Sequence, residues 1–461
     1  MGLTDVIRDR LLSWLLPEEY MDPVLRERLT SYSLRQQYYQ GNYRKQLRIK
    51  PMQADDNIGL NFSGLIVDRS ISMLLGNGIR FDLGDNQPAQ EYIDQVTKAN
   101  KINILLHKAA QYASIYGTGY LKIIPGGAEV RSSTENIFVP RLVAVDPYWV
   151  RIATDPEDIE QVESYTFRYN IASGDEQVAR MEVISREKAG ETEETTGWMI
   201  SNYKSNRATA GRWEMISQDP WDYEFPPIIH WQNLPQPSDV YGQSDIEDVI
   251  EPQDRYNFVS SNISKIIRYH AHPKTWGRGA ANPTKVSWGA DEMLMYQGDN
   301  AQVSNLEMQS DLTSSRAYAL DLRQSIFDIS RTVDLTSISD KIGALTNFGL
   351  RVLYQDALSK NGTKQELLGE ALVELVHRLL SMDTIEHADG GSIVWADPLP
   401  VDEVQEISAV EKDLNLGIVS KKTASTKRGY DWDDEEQRIL EDKTSDNNMG
   451  SLILNAFNKG Q

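Results

Sequence analysis

The hydrophobic period of this chain changes twice along its length, which restricts it to folds that combine helices with a substantial β-rich part. Ile102, Leu105, Leu106, Ala109, Ala110, Ala113 and Tyr116 keep a three-four spacing, with Gly117 just past the last of them. That is an amphipathic helix ending where a residue without a Cβ is favoured. Earlier, Ile58, Phe62, Leu65, Ile66, Met73 and Leu74 share one helical face and Gly76 follows as the expected left-handed stop. From Tyr120 to about Trp231 the period becomes two: Leu121 to Ile124, Leu142 to Val145, Tyr165 to Tyr169 and Met199 to Tyr203 are short, β-branched or aromatic, and separated by polar turns. The acidic stretch from Glu187 to Thr196 is expected at an exposed hairpin tip.

After Pro226, Pro227, Pro235 and Pro237, helical spacing returns. Ser244-Asp-Ile-Glu247 has the form of a capping box, and the helix it would open is expected to run to about His270 with a kink at Pro252. Residues 273–309, with Trp276 and Trp288, form a small α/β or β excursion. A polar helix resumes from about Asp311 to Val333. Beyond a break at Ser337 to Asp340, a long helix through Met382 carries a buried stripe of Ile342, Leu345, Phe348, Val352, Leu368, Ala371, Leu372, Leu375, Val376, Leu379 and Leu380, interrupted at Asn361-Gly362. The end of the chain, from about Asp397, is helical and acidic. No internal repeat of fixed period is present.

The chain has 461 residues with 68 acids against 47 Lys plus Arg, a formal net charge of -21. This argues against a protein that coats nucleic acid electrostatically, so any grip on DNA is local. With no cysteine and only six histidines, disulfides, thiolate metal sites and a cysteine nucleophile are excluded. No apolar run approaches the ~18 residues of a membrane span, and the short Leu11 to Leu16 stretch is flanked by charge, so neither a span nor a signal peptide is expected.

Several segments carry a family resemblance. Tyr38-Tyr-Gln-Gly41, then Asn61-Phe-Ser-Gly-Leu-Ile-Val-Asp68 and Leu75-Gly-Asn-Gly78, look like the opening helices of tailed-bacteriophage portal proteins. Ala110-Gln-Tyr-Ala-Ser-Ile-Tyr-Gly-Thr-Gly-Tyr120 looks like the helix-to-strand step after them. Ser244-Asp-Ile-Glu-Asp-Val-Ile250 resembles the first stem helix, and Leu416-Gly-Ile-Val-Ser420 with the acidic Asp431 to Glu436 resembles the crown. The order and spacing of these strings, rather than any one of them, make the chain resemble the portal family over nearly its whole length. The resemblance implies an α+β, mainly helical portal fold divided into wing (1–240), first stem helix (241–270), clip (271–310), second stem helix (311–333), tunnel loop (334–342), long wing helix and return strand (343–396), and crown with C-terminal tail (397–461).

It further implies a homo-oligomer, a dodecameric ring in the virion at one capsid vertex, assembled in the host cytoplasm. Double-stranded DNA would pass through its channel. The implied partners are the terminase large subunit, head-completion or adaptor proteins, and the major capsid and scaffolding proteins; no cofactor, metal, catalytic residue or membrane partner is expected. The competing possibilities are a metal-dependent DNA-processing enzyme and another virion adaptor or minor capsid protein.

Positive charge is concentrated between Arg255 and Ala290, where Arg255, Lys265, Arg268, Lys274, Arg278 and Lys285 occur without one Asp or Glu. The acids before them, Asp245, Glu247, Asp248, Glu251 and Asp254, complement a helix N-terminus. In the implied ring, Lys265 and Arg268 are candidates for DNA contact at the lower stem, and Lys274, Trp276, Arg278, Lys285 and Trp288 for motor or adaptor docking at the clip. Lys341, beside Ser339 in the tunnel loop, is the best single candidate for a transient phosphate contact. Arg316, Arg323 and Arg331, spaced by seven and eight, are expected on one helical face in salt bridges between subunits.

Enzymatic motifs fail on inspection. Glu374-Leu-Val-His377 has di-iron spacing without the required second pair, and His270-Ala-His272 lacks a third zinc ligand. Adjacent acids at Asp431 to Glu436 cannot all converge on a metal pair. The phosphate-loop pattern is absent, so a packaging ATPase would be a separate protein.

Overall fold

The computed structural model describes residues 22–440 apart from 50–54, 77, 132–135, 174–175, 189–194, 206–212, 272–273, 279–301, 307–311, 339–346, 384, 386–390, 400–402, 428–431 and 433–434. Helix α1 (Pro23–Tyr39) starts where Asp22 accepts from Val24 and Leu25 N–H with Pro23 in the first turn. Helix α2 (Phe62–Leu75) is capped by Asn61, which accepts from Gly64 N–H at 3.0 Å. Strand β1 (Ile79–Asp82), α3 (Gln87–Asn100) and α4 (Ile102–Tyr116) follow. Gly117 ends α4 at φ 99°, as its position predicts.

The period-two region forms two antiparallel sheets. Strand β2 (Thr118–Arg131) lies between β3 (Asn136–Ala144) and β9 (Ile228–Gln232), with Leu121 opposite both Ala144 and Ile229. Strands β4 (Val150–Thr154), β5 (Val162–Ser173), β6 (Glu176–Lys188), β7 (Thr195–Ser205) and β8 (Glu214–Trp221) form a five-stranded meander. Alternation does the sorting: Tyr165 and Phe167 of β5, Ile184 of β6 and Trp198 of β7 point into a core shared with Tyr120 and Ile228.

Helix α5 (Ile250–Ala271) leads to β10 (Lys274–Arg278), which pairs antiparallel with β11 (Gln302–Leu306), and α6 (Thr313–Ser330) returns along α5. A short α7 (Leu335–Ile338) precedes α8 (Asn347–Leu353) and the 28-residue α9 (Gln355–Met382). Leu368, Ala371, Leu372, Leu375, Val376, Leu379 and Leu380 of α9 are buried together with Ile66, Ile71, Leu106 and Leu121 in the principal core. Strand β12 (Ser392–Trp395) closes this part by pairing with β1, Ile79 opposite Trp395. A separate C-terminal unit holds α10 (Glu403–Asn415) and α11 (Lys421–Lys427), the latter capped by Ser420 accepting from Thr423 N–H at 3.1 Å.

Five local expectations are corrected. Gly76 is right-handed, and the left-handed residue is Gly78 at φ 77°. The Ser244 hydroxyl does not complete a capping box: it donates to the Ser114 and Ile115 carbonyls at the end of α4, and Glu247 pairs with Arg35. The α-helix therefore begins at Ile250, after one 3-10 turn. Pro252 falls in the first turn, where its missing N–H would have no helical acceptor and no kink is required. Asn361-Gly362 lies inside the continuous α9, and the interruption comes earlier, at Tyr354. Phe348 and Val352, expected in the buried stripe, are 77% and 54% exposed, and lie in α8, which the break at Tyr354 separates from α9; Ile342 and Leu345 lie outside the described residues.

Candidate functional site

Helices α5 and α6 pack on each other, with the β10/β11 ribbon in the chain between them, and the base of this pair is fixed by chemistry the sequence spacing only hints at. Gln253, Asn257 and Ser261 recur every four residues on α5 and all are buried. They face the segment leading into α2 and its first turn. Gln253 Oε1 accepts from Ser63 N–H and Oγ at 2.8 Å, Asn257 Oδ1 from Leu60 N–H at 2.9 Å, and Ser261 Oγ from Ile58 N–H at 2.9 Å. This polar ladder satisfies backbone donors that have no strand partner. Phe62 then sets its ring edge-on between Tyr256 of α5 (5.1 Å) and Phe327 of α6 (5.8 Å).

Electrostatics lock the same base. Asp245 is fully buried and accepts from Lys360, at 2.9 Å, and from Lys364, both on α9. Lys364 also donates to Ser70 Oγ at 2.7 Å, and Lys360 to the Ser330 carbonyl at 3.0 Å at the end of α6. Burial alone would raise the Asp245 carboxyl, but the charges of Lys364 and Lys360 outweigh it and hold it well below the usual range. Burial pushes the Lys364 ammonium down to about 8 against the opposing pull of Asp245. Asp254 accepts from the Tyr38 hydroxyl at 2.7 Å, and Arg35 bridges Glu247 (2.6 Å) and the Tyr116 carbonyl (3.0 Å). Of the acids at the start of the helix, Asp245 and Asp254 are thus internal ligands, while Glu247, Asp248 and Glu251 remain exposed.

The residues singled out in the sequence are placed as follows. Lys265 and Arg268 are both on α5 and partly buried. Arg268 is already engaged, its guanidinium 2.5 Å from Asp56. Lys274, Trp276 and Arg278 occupy alternate positions of β10, opposite Leu306, Ser304 and Gln302. Lys285, Trp288, Ser339 and Lys341 lie outside the described residues.

The three arginines do not share a helical face: Arg331 lies beyond α6 in a left-handed conformation at φ 54°. Arg323 forms a bidentate pair within its own chain, to Asp334 at 2.8 and 3.0 Å, and also reaches Thr336 Oγ1. Burial would raise the Asp334 carboxyl, but these donors hold it below its usual value. Arg69 donates to the Val333 carbonyl at 2.9 Å, so the chain leaving α6 is pinned from both sides.

Among the described residues no three His, Cys, Asp or Glu side chains are grouped to hold a metal ion. Glu374 of the E-x-x-H spacing is paired with Arg378 at 2.7 Å, and that arginine also donates to the Pro226 and Ile228 carbonyls. No helix among the described residues is long and apolar enough to cross a membrane.

A family model described as phage portal protein, SPP1 Gp6-like, matches residues 19–449. The chain belongs to that family. Portal proteins are structural virion components that act as head-to-tail connectors, which agrees with the mixed helical and sheet architecture found here. Among solved structures, this portal protein is similar to a chain titled as the neck of an empty GTA particle computed with C6 symmetry. The identity is 13% over 80% of this chain and 89% of that one, with a TM-score of 0.49. Comparison with curated proteins gives no match.

Proposed function

We propose that copies of this chain close into a ring, dodecameric in the virion, whose axial channel conducts double-stranded DNA during packaging and ejection. The family match across residues 19–449 carries this reading. In it, α5 and α6 are the stem, the β10/β11 ribbon belongs to the clip that docks the terminase large subunit and later the head-completion or adaptor proteins, residues 334–342 are the tunnel loop, and residues 397–461 are the crown and tail. Scaffolding and major capsid proteins meet the outer wing.

Two features support it. The buried side chains of α6, Ile326, Phe327 and Ser330, all lie in its last turn and a half, while Leu320 is 66% exposed; a helix with so thin an internal face gains partners from neighbouring subunits. The excess of acid keeps a passing duplex from adhering, since a continuous basic lining would hold it through many phosphate contacts. The test is mass by light scattering together with negative-stain electron microscopy of the purified chain. Ring-shaped particles with an axial hole and a mass many times 52.3 kDa are expected; a monomer at all concentrations, or particles solid at the centre, refutes the proposal.

A further inference from the structure

The junction where the segment before α5 and the end of α6 meet α9 carries more positive than negative charge out of water. Lys360 and Lys364, one turn apart on α9, share the single carboxylate of Asp245, and the three side chains are between 0% and 10% exposed. A buried ionised group without a counter-charge is costly. Two ammonium groups on one carboxylate therefore leave a local demand for a second negative charge.

Beside them lies a cavity of about 260 Å³ whose lining includes Ser244, Asp245, Asp248, Arg331, Lys360 and Thr363. Lys360 has three N–H donors; two are used, on Asp245 and on the Ser330 carbonyl. Arg331, exposed and left-handed at the end of α6, lines this wall and also a neighbouring cavity with Asp328, Asp334 and Asp356, and forms no ion pair among the described residues. Asp248 is exposed and accepts from Gln243 Nε2 at 3.1 Å. With Lys364 behind the wall, three cations stand against the two carboxylates of Asp245 and Asp248.

We propose that this cavity is a binding site for a small oxyanion of the phosphate class, held by the unused Lys360 N–H and the Arg331 guanidinium, with the Thr363 hydroxyl turning to it from its 3.4 Å bond to the Ser359 carbonyl. The anion supplies the missing counter-charge and ties the end of α6 to α9. The site is built within one chain and does not depend on the channel proposal.

The test uses the full-length protein in its native assembly state, with inorganic phosphate as the probe. Thermal unfolding is followed across a phosphate titration against sodium chloride of matched ionic strength. A saturable rise in Tm with phosphate alone is expected, with the apparent Kd weakened at least tenfold in Arg331→Asn, a substitution suited to the left-handed position. Thr363→Val, which leaves both lysines in place, should weaken it several-fold and keeps the test decisive if Arg331→Asn alters folding. Equal shifts with chloride, or the same response in wild type and both variants, would overturn the proposal. So would a high-resolution structure of the assembled particle in which an acidic side chain of a neighbouring copy fills the cavity.

Discussion

Asp245 and Lys364, 119 residues apart in sequence, form an ion pair whose side chains are 0% and 3% exposed. Because Lys360 shares the carboxylate, the partners are not equivalent. Asp245→Asn leaves two buried ammonium groups unpaired and should cost about 3–5 kcal/mol. Lys364→Met leaves a neutral Asp245–Lys360 pair but removes the ammonium donor of the buried Asp245 Oδ2 and the hydrogen bond to Ser70, and should cost less, about 1–3 kcal/mol. Denaturant unfolding of the two variants checks the order; equal losses would mean that the second lysine is as necessary as the carboxylate.

Gly117 marks the step from α4 into β2 at φ 99°, and a Cβ there would lie 2.0 Å from the Gly242 carbonyl oxygen. Left-handed backbone costs a non-glycine residue about 1–2 kcal/mol, and a clash with backbone rather than with a mobile side chain adds to it. Gly117→Ala should therefore lose more than about 2 kcal/mol, read as a fall in Tm. Gly126→Ala, also at positive φ but facing open space, should lose only the backbone share.

These two sites show what the sequence made legible. The glycine was visible because helix periodicity stops beside it, and the α9 stripe from Leu368 to Leu380 was visible because seven apolar residues keep one face. Ser244 and Asp245 were misread for a physical reason: a local pattern gives a capping box a complete set of partners, whereas their actual partners, Ser114, Ile115, Lys360 and Lys364, come from over a hundred residues away. The ladder of Gln253, Asn257 and Ser261 had a detectable signal, polar residues at every fourth position of one helix. Nothing local, however, says whether such a face meets water or a backbone in need of acceptors.

His230 of β9 is half-buried, donates one hydrogen bond to the Val240 carbonyl at 3.2 Å, and stacks on Tyr120 at 5.7 Å. Burial lowers its pKa below 6.5, with the Val240 contact opposing weakly. The unfolded chain then binds a proton that the folded chain refuses, so this group's stability is present above pH 6.5 and is lost as pH falls toward its folded value. Tm should drop between pH 7.5 and 5.5 by less in His230→Gln than in wild type. Parallel curves would assign the acid sensitivity to other groups.

The basic residues of α5 can be separated by what they already hold. Arg268 is spent on Asp56, extending the attachment of α5 to the segment before α2, so Arg268→Ala should lower stability by about 1 kcal/mol. Lys265 forms no ion pair among the described residues, and its removal should leave Tm unchanged. If the lower stem and the tunnel loop touch the passing duplex, Lys265→Ala and Lys341→Ala assemble normally yet change the amount of DNA packaged or retained, because each ring loses a circle of weak phosphate contacts. Packaging assays on particles carrying each variant, scored against Arg268→Ala corrected for its lost stability, decide it. Unchanged DNA content in both lysine variants would remove them from the channel lining and leave translocation to depend on the acidity of the ring alone.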